Sequence, residues 1–164
     1  MVNKIINSIL TGTLEDCYVI NNSYKNREDA EGNCIMGLIY LNGYGVKKNE
    51  ILGLNKLTKS AEKKNPNGLY HLGLYYYKNN IYNKAFELLS ELKNLEENNS
   101  EVEFMLADMY YNGFGTQQNK KLGIQMYNTA QILGSNMAIN KLNSIENEKY
   151  LYYDVIHDGP LFLY

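Results

Sequence analysis

Apolar residues recur along this chain at helical spacing. Cys34, Leu38 and Leu41 stand at i, i+4 and i+7, and Met36, Gly37 and Tyr40 form a second stripe on the same segment. That run ends at Asn42-Gly43-Tyr44-Gly45, where glycines permit the positive φ that stops a helix and reverses the chain. The pattern predicts a second helix from Asn49 to Lys63, with Leu52, Lys56, Leu57, Ser60 and Ala61 along it. Asn65-Pro66-Asn67 stops that helix and opens the next, since proline is tolerated in a first turn. Further helices are predicted over 67–78, 81–93, 100–111 and 119–133, with Ala85, Leu88, Leu89 and Leu92 as an inner face.

The chain also repeats itself. Met36-Gly37-Leu38-Ile39-Tyr40-Leu41-Asn42-Gly43-Tyr44-Gly45 returns 70 residues later as Leu106-Ala107-Asp108-Met109-Tyr110-Tyr111-Asn112-Gly113-Phe114-Gly115. Asn49, Leu52 and Gly53 recur at the same offset as Asn119, Leu122 and Gly123. A middle copy, Leu72-Gly73-Leu74-Tyr75-Tyr76, lies between them and lacks the Gly-aromatic-Gly element. The mean period of about 35 residues suits a helix-turn-helix repeat. Three units follow, 30–65, 66–99 and 100–134. Residues 1–29 are expected to form an N-terminal helical cap, in which Thr13 and Asp16 make a weak capping box. Residues 135–164 are expected to hold a partial fourth unit and an apolar tail. A small residue recurs at Gly37, Gly73 and Ala107, which predicts close helix packing there.

Composition narrows the class. The chain has 164 residues, 45% of them hydrophobic, enough for a core and too apolar for disorder. A net charge of -2 argues against nucleic acid or an anionic membrane as partner. There are 24 Asn and 16 Tyr, and 15 Lys against one Arg, a bias that AT-rich codons explain. The N-terminal apolar run is broken by Asn7 and Ser8 and lacks a signal-peptide core, and no stretch reaches membrane-span length. A cytoplasmic location is expected.

The pattern small/Leu-Gly-x-x-Tyr-x-x-Gly-x-Gly-Val, then Asn or Asp three on and a small residue four beyond that, resembles the Sel-like repeat (SLR) family, relatives of tetratricopeptide repeats. Copies one and three carry the Gly-x-Gly turn that marks the family; copy two, with Tyr82-Asn83-Lys84-Ala85-Phe86, is closer to a plain tetratricopeptide unit. The resemblance implies an all-α fold, a right-handed α/α solenoid of antiparallel helix pairs. Gly53 and Gly123 stand where the family usually has Ala, and Lys56 where an aromatic is common, so looser packing of the second helices is expected.

Catalytic motifs are missing: there is no CxxC, HExxH, GxxxxGK[ST] or GxSxG. His71 has no carboxylate one turn on, and it reads as a helix-surface or interhelix residue. His157 lies between Asp154 and Asp158, but so small a set makes a poor metal site. Cys17 and Cys34 read as buried free thiols. Some SLR proteins have been described as penicillin-binding or β-lactamase-like, and Ser60-x-x-Lys63 matches the bare SxxK pattern without an SDN or KTG companion. No enzyme, cofactor or metal is expected.

One apolar stripe is left over. Cys34, Leu38 and Leu41 correspond to Tyr70, Leu74 and Tyr77, and to Phe104, Asp108 and Tyr111. Two readings stay open. The stripe is either ordinary core between helices, or a tyrosine-rich groove for a peptide or protein surface, with Lys78, Asn42 and Asn112 as a polar rim. The expected function is therefore a non-enzymatic protein-binding module, an adaptor or scaffold. The alternative is a bacterial immunity protein that neutralises a toxin by direct binding. The tail 150–164 is expected to pack on the last helices, fill the groove, or meet another chain in self-association.

Overall fold

The structure, a computed structural model, describes residues 14–95 and 98–157. The expectations for the Thr13–Asp16 capping box and for the side chains of the tail 150–164, His157 among them, fall outside the described residues. Among the described residues every regular element is an α-helix. The contacts divide the chain into two units, Met1–Glu96 and Glu97–Tyr164.

The first unit contains α1 (Leu14–Tyr24), α2 (Ala30–Asn42), α3 (Glu50–Glu62), α4 (Pro66–Lys78) and α5 (Tyr82–Leu95). Neighbours in sequence pack together: α1 on α2, α2 on α3, α3 on α4 and α4 on α5, with α2 also reaching α4. The central helix is α2, in which every residue from Gly32 to Ile39 is buried. Its Ile35, Met36 and Ile39 form a core that takes Ile20 and Tyr24 from α1 and Tyr44 and Val46 from the turn. Tyr40 joins that core.

The second unit contains α6 (Ser100–Asn112), α7 (Lys120–Ile132) and α8 (Asn136–His157), with α7 packed on both α6 and α8. Val102, Leu106, Ala107, Met109, Tyr127 and Ala130 are its fully buried centre.

The asparagines have structural work. Asn49, Asn65, Asn99 and Asn119 each accept a backbone N–H in the first turn of α3, α4, α6 and α7. Asp29 does the same for α2, accepting from Gly32 at 2.7 Å. Such a cap satisfies a donor the helix itself cannot. At the other end, Gly43 and Gly113 adopt φ of 75° and 78° and close α2 and α6. The next residue returns to the same carbonyl: Tyr44 N–H bonds to Ile39 O at 3.1 Å and Phe114 N–H to Met109 O at 2.9 Å. Copy two, without that glycine, uses Asn80 at φ 60° instead.

The expectation of looser second helices is overturned. A Cβ on Gly53 would lie 2.7 Å from Leu41 Cγ and 2.9 Å from the Gly37 carbonyl. On Gly123 it would lie 2.8 Å from Tyr111 Cβ and 2.9 Å from the Ala107 carbonyl. Both glycines stand where the paired helices cross backbone to backbone, so the missing methyl tightens the crossing. Ala85, wholly buried, holds the corresponding place in α5. Lys56 is accommodated by its shape and charge: its side chain is largely covered and Nζ reaches Glu28 at 2.7 Å.

Candidate functional site

The predicted contact residues separate by burial. Cys34 and Leu38 are 0% and 5% exposed. They belong to the enclosed face of α2 and present no surface, which corrects their assignment to a groove. Burial, and then the nearby Glu31, push the Cys34 thiol up to about 12. Both Cys17 and Cys34 are buried, and neither is in a disulfide. Leu41 is half-buried against Gly53 of α3.

On α4 the picture differs. Leu69 and Leu72 are buried, while Tyr70, Leu74 and Tyr77 are half-buried and Lys78 is exposed. Tyr70 meets His71 edge to face with centroids 5.0 Å apart, and Tyr77 meets Tyr82 of α5 at 6.1 Å. Tyr75 donates to Glu50 of α3 at 2.5 Å, and that bond is the main reason its phenol is shifted upward. Lys84 Nζ lies 5.2 Å from the Tyr76 ring centroid. This helix thus shows water a run of tyrosine rings held in place by contacts along their edges.

In the second unit, Phe104, Asp108 and Tyr111 are half-buried around Tyr127, which is fully buried on α7. The ring centroids of Phe104 and Tyr111 lie 5.6 and 6.0 Å from that of Tyr127. The Tyr127 hydroxyl donates to Asp108 Oδ1 at 2.9 Å, and Asn112 Nδ2 donates to the same oxygen at 2.9 Å. The one acidic residue of the predicted stripe therefore serves its own helix pair. Lys120 and Lys141 each place Nζ 5.6 Å from the Tyr111 centroid. Sequence reasoning missed Tyr127, Lys120 and Lys141. The 70-residue offset sets Tyr127 at the place of Leu57, a signal of core that could have found it, but nothing in the spacing brings Lys141 to Tyr111.

The SxxK pair is structural. Ser60 is fully buried, and its hydroxyl donates to the Ala30 carbonyl at 2.6 Å. Lys63 Nζ donates to the Glu28 carbonyl at 2.7 Å. Together they fasten the end of α3 to the start of α2. Among the described residues no His, Cys, Asp and Glu group is arranged to hold a metal, and no helix is long and apolar enough to cross a membrane.

This geometry, helix pairs closed by a Gly-aromatic-Gly turn and crossing at small residues, is that of an all-α helical repeat of the Sel1-like class. The Sel1 repeat model matches residues 30–65 and 100–131, with α4 and α5 lying between the two matches. A Sel1 repeat protein from Oxalobacter formigenes is similar in structure at TM-score 0.61 and 20% identity, over 76% of this chain and 95% of that one. A protective antigen present in uropathogenic Escherichia coli strains, which displays an SLR fold, is similar at TM-score 0.65 and 16% identity. That match covers 91% of this chain and 37% of the antigen, so the present chain spans little more than a third of it. At these identities the likeness is one of fold, the SLR solenoid of antiparallel helix pairs. Sel1 repeats are in general protein–protein interaction modules and are typically non-catalytic.

Proposed function

We propose that this protein is a non-enzymatic adaptor or scaffold of the cytoplasm. It engages a peptide or protein surface through the tyrosine-bearing faces of its first helices. These are Tyr70, Leu74, Tyr77 and Lys78 on α4, with Leu41 on α2, in the first unit, and Phe104, Asp108, Tyr111 and Asn112 on α6 in the second. Three repeats, 30–65, 66–99 and 100–134, are its working units, and neither nucleic acid nor a membrane is its partner.

The observation that carries this reading is the half-burial of the α4 stripe. Its rings are fixed by their neighbours yet keep contact surface toward water. Tyrosine offers large area with few rotors, so a partner orders little on binding.

The test is affinity capture from source-cell lysate with wild type and a Tyr70→Ser/Leu74→Ser variant whose melting temperature is checked first. One stoichiometric partner, lost in the variant, supports the reading. A toxin-like partner encoded beside this gene selects the immunity role over the adaptor role. Capture of nothing by the wild type, or equal capture by both forms, overturns it.

A further inference from the structure

We infer that the end of the second unit around Tyr111 is built for an acidic segment of the partner, one that carries two carboxylates beside an apolar side chain. The inference rests on the binding-module reading and names the chemistry of its partner.

Two ammonium groups converge on one ring. Lys120, at the first position of α7, and Lys141, on α8, each hold Nζ 5.6 Å from the Tyr111 centroid, within the range of cation–π attraction. They are therefore at most about 11 Å apart, close to a Debye length in physiological salt, and each raises the other's cost. Lys121 follows Lys120 and is exposed. Asp108, one turn before Tyr111, turns Oδ1 to the Tyr127 hydroxyl and to Asn112, and so offsets one of the lysine charges at most. The remaining acids of α6, Glu101 and Glu103, stand toward its other end, about 15 and about 12 Å from Tyr111 at the helical rise. On α8, Glu146 is five residues beyond Lys141 and lies about 140° round the helix, while Glu148, seven beyond, shares the Lys141 face about 10 Å along the axis.

A cluster of lysines is thus concentrated on one end of a chain whose net charge is -2. An anion placed between the two ammonium groups relieves their repulsion. Carboxylates on alternate residues of an extended segment sit about 7 Å apart, a spacing that lets one segment meet both lysines. The half-buried Tyr111 and Phe104 rings supply the apolar contact beside them. Because the Tyr111 ring already holds the lysine heads, little side-chain freedom is lost on binding.

The experiment pans a random twelve-residue phage-displayed peptide library against the immobilised full chain and against a Lys120→Glu/Lys141→Glu variant. Enrichment of Asp and Glu beside Leu, Phe or Tyr on the wild type, turning to Lys and Arg on the variant, is the expected result. A synthetic peptide from the wild-type selection then loses about tenfold in affinity on the variant and weakens as salt rises. Enrichment of uncharged or basic peptides on the wild type, or the same peptides on both forms, overturns this inference and leaves the binding-module reading standing. No enrichment on either form overturns both.

Discussion

The Tyr127 hydroxyl and the Asp108 carboxylate meet at 2.9 Å, one on a fully buried ring of α7 and the other on the half-open side of α6. The bond anchors a carboxylate that would otherwise compete for partner or solvent, and it fixes the ring on which Phe104 and Tyr111 rest. Tyr127→Phe keeps the packing and removes the donor, so a loss of about 1 to 2 kcal/mol is expected in urea unfolding. Tyr127→Ala removes the packing as well and is expected to cost about 3 to 5 kcal/mol. Equal losses for the two would show that the hydroxyl, and not the ring, holds the pair together.

Glycine to alanine in a helix usually helps, by about 1 kcal/mol. At Gly53 and Gly123 the opposite sign is expected. The added methyl would meet backbone atoms 2.8 and 2.9 Å away, which cannot swing aside as a side chain can. Gly53→Ala and Gly123→Ala should each destabilise by about 1 to 3 kcal/mol by denaturant melting. A gain in stability at either site would mean that the crossing is looser than described.

Asn49→Ala and Asn119→Ala should each cost about 1 kcal/mol, because each removes the acceptor for an orphan N–H of α3 or α7. Replacement by Ser or Asp should recover most of the loss. Loss of helical circular dichroism before the melt would show that these caps nucleate their helices rather than trim them.

Acid should weaken the start of α2. Hydrogen bonds from Lys56 to Glu28 and from Arg27 to Asp29 hold both carboxyls below their ordinary values of 4.5 and 3.8, and the Gly32 N–H adds to the effect on Asp29. Both folded pKa values are depressed, so their contribution is present above the ordinary values and is lost as pH falls through the folded ones. The melting temperature should therefore be level from pH 7 to about 5 and fall below about 4. A Glu28→Gln/Asp29→Asn variant should show a shallower fall; an unchanged slope would move the cause to other carboxylates.

The Cys34 thiol is buried and raised to about 12. It should ignore an aromatic disulfide reagent at pH 8 in the native protein and react at once in denaturant. Native reaction at the free-thiol rate would show that α2 is not enclosed.

The helices and their turns were legible because they are written locally. Gly43 and Gly113 needed left-handed backbone, the second helices were placed from Asn49 and from 119, one residue early because those asparagines are caps, and an offset of 70 residues tied the two copies together. Burial was less legible. Cys34 and Tyr70 occupy the same repeat position, yet Cys34 lies within the enclosed stretch of α2 and Tyr70 does not. That depends on which helices stack on each side, and periodicity within one helix is silent about it. The reading of Gly53 and Gly123 erred for a related reason. A missing methyl looks like a void in sequence, but it marks contact when two backbones meet there. The lysines over Tyr111 come from separate helices, and only the packing of α7 and α8 brings them to one ring.

The capped turns also bear on how the chain ages. Three Asn-Gly pairs, at 42–43, 67–68 and 112–113, have the sequence most prone to spontaneous deamidation, in which the glycine nitrogen attacks the asparagine side chain. Here each of those nitrogens is occupied: Gly43 bonds to Ile39 O at 2.9 Å, Gly113 to Met109 O at 2.8 Å, and Gly68 to Asn65 Oδ1 at 3.0 Å. Ring closure at any of them must first break a helix end. The same bonds that set the repeat geometry therefore act as chemical preservatives, and the rate at which new aspartate appears at these sites reports how often each turn opens.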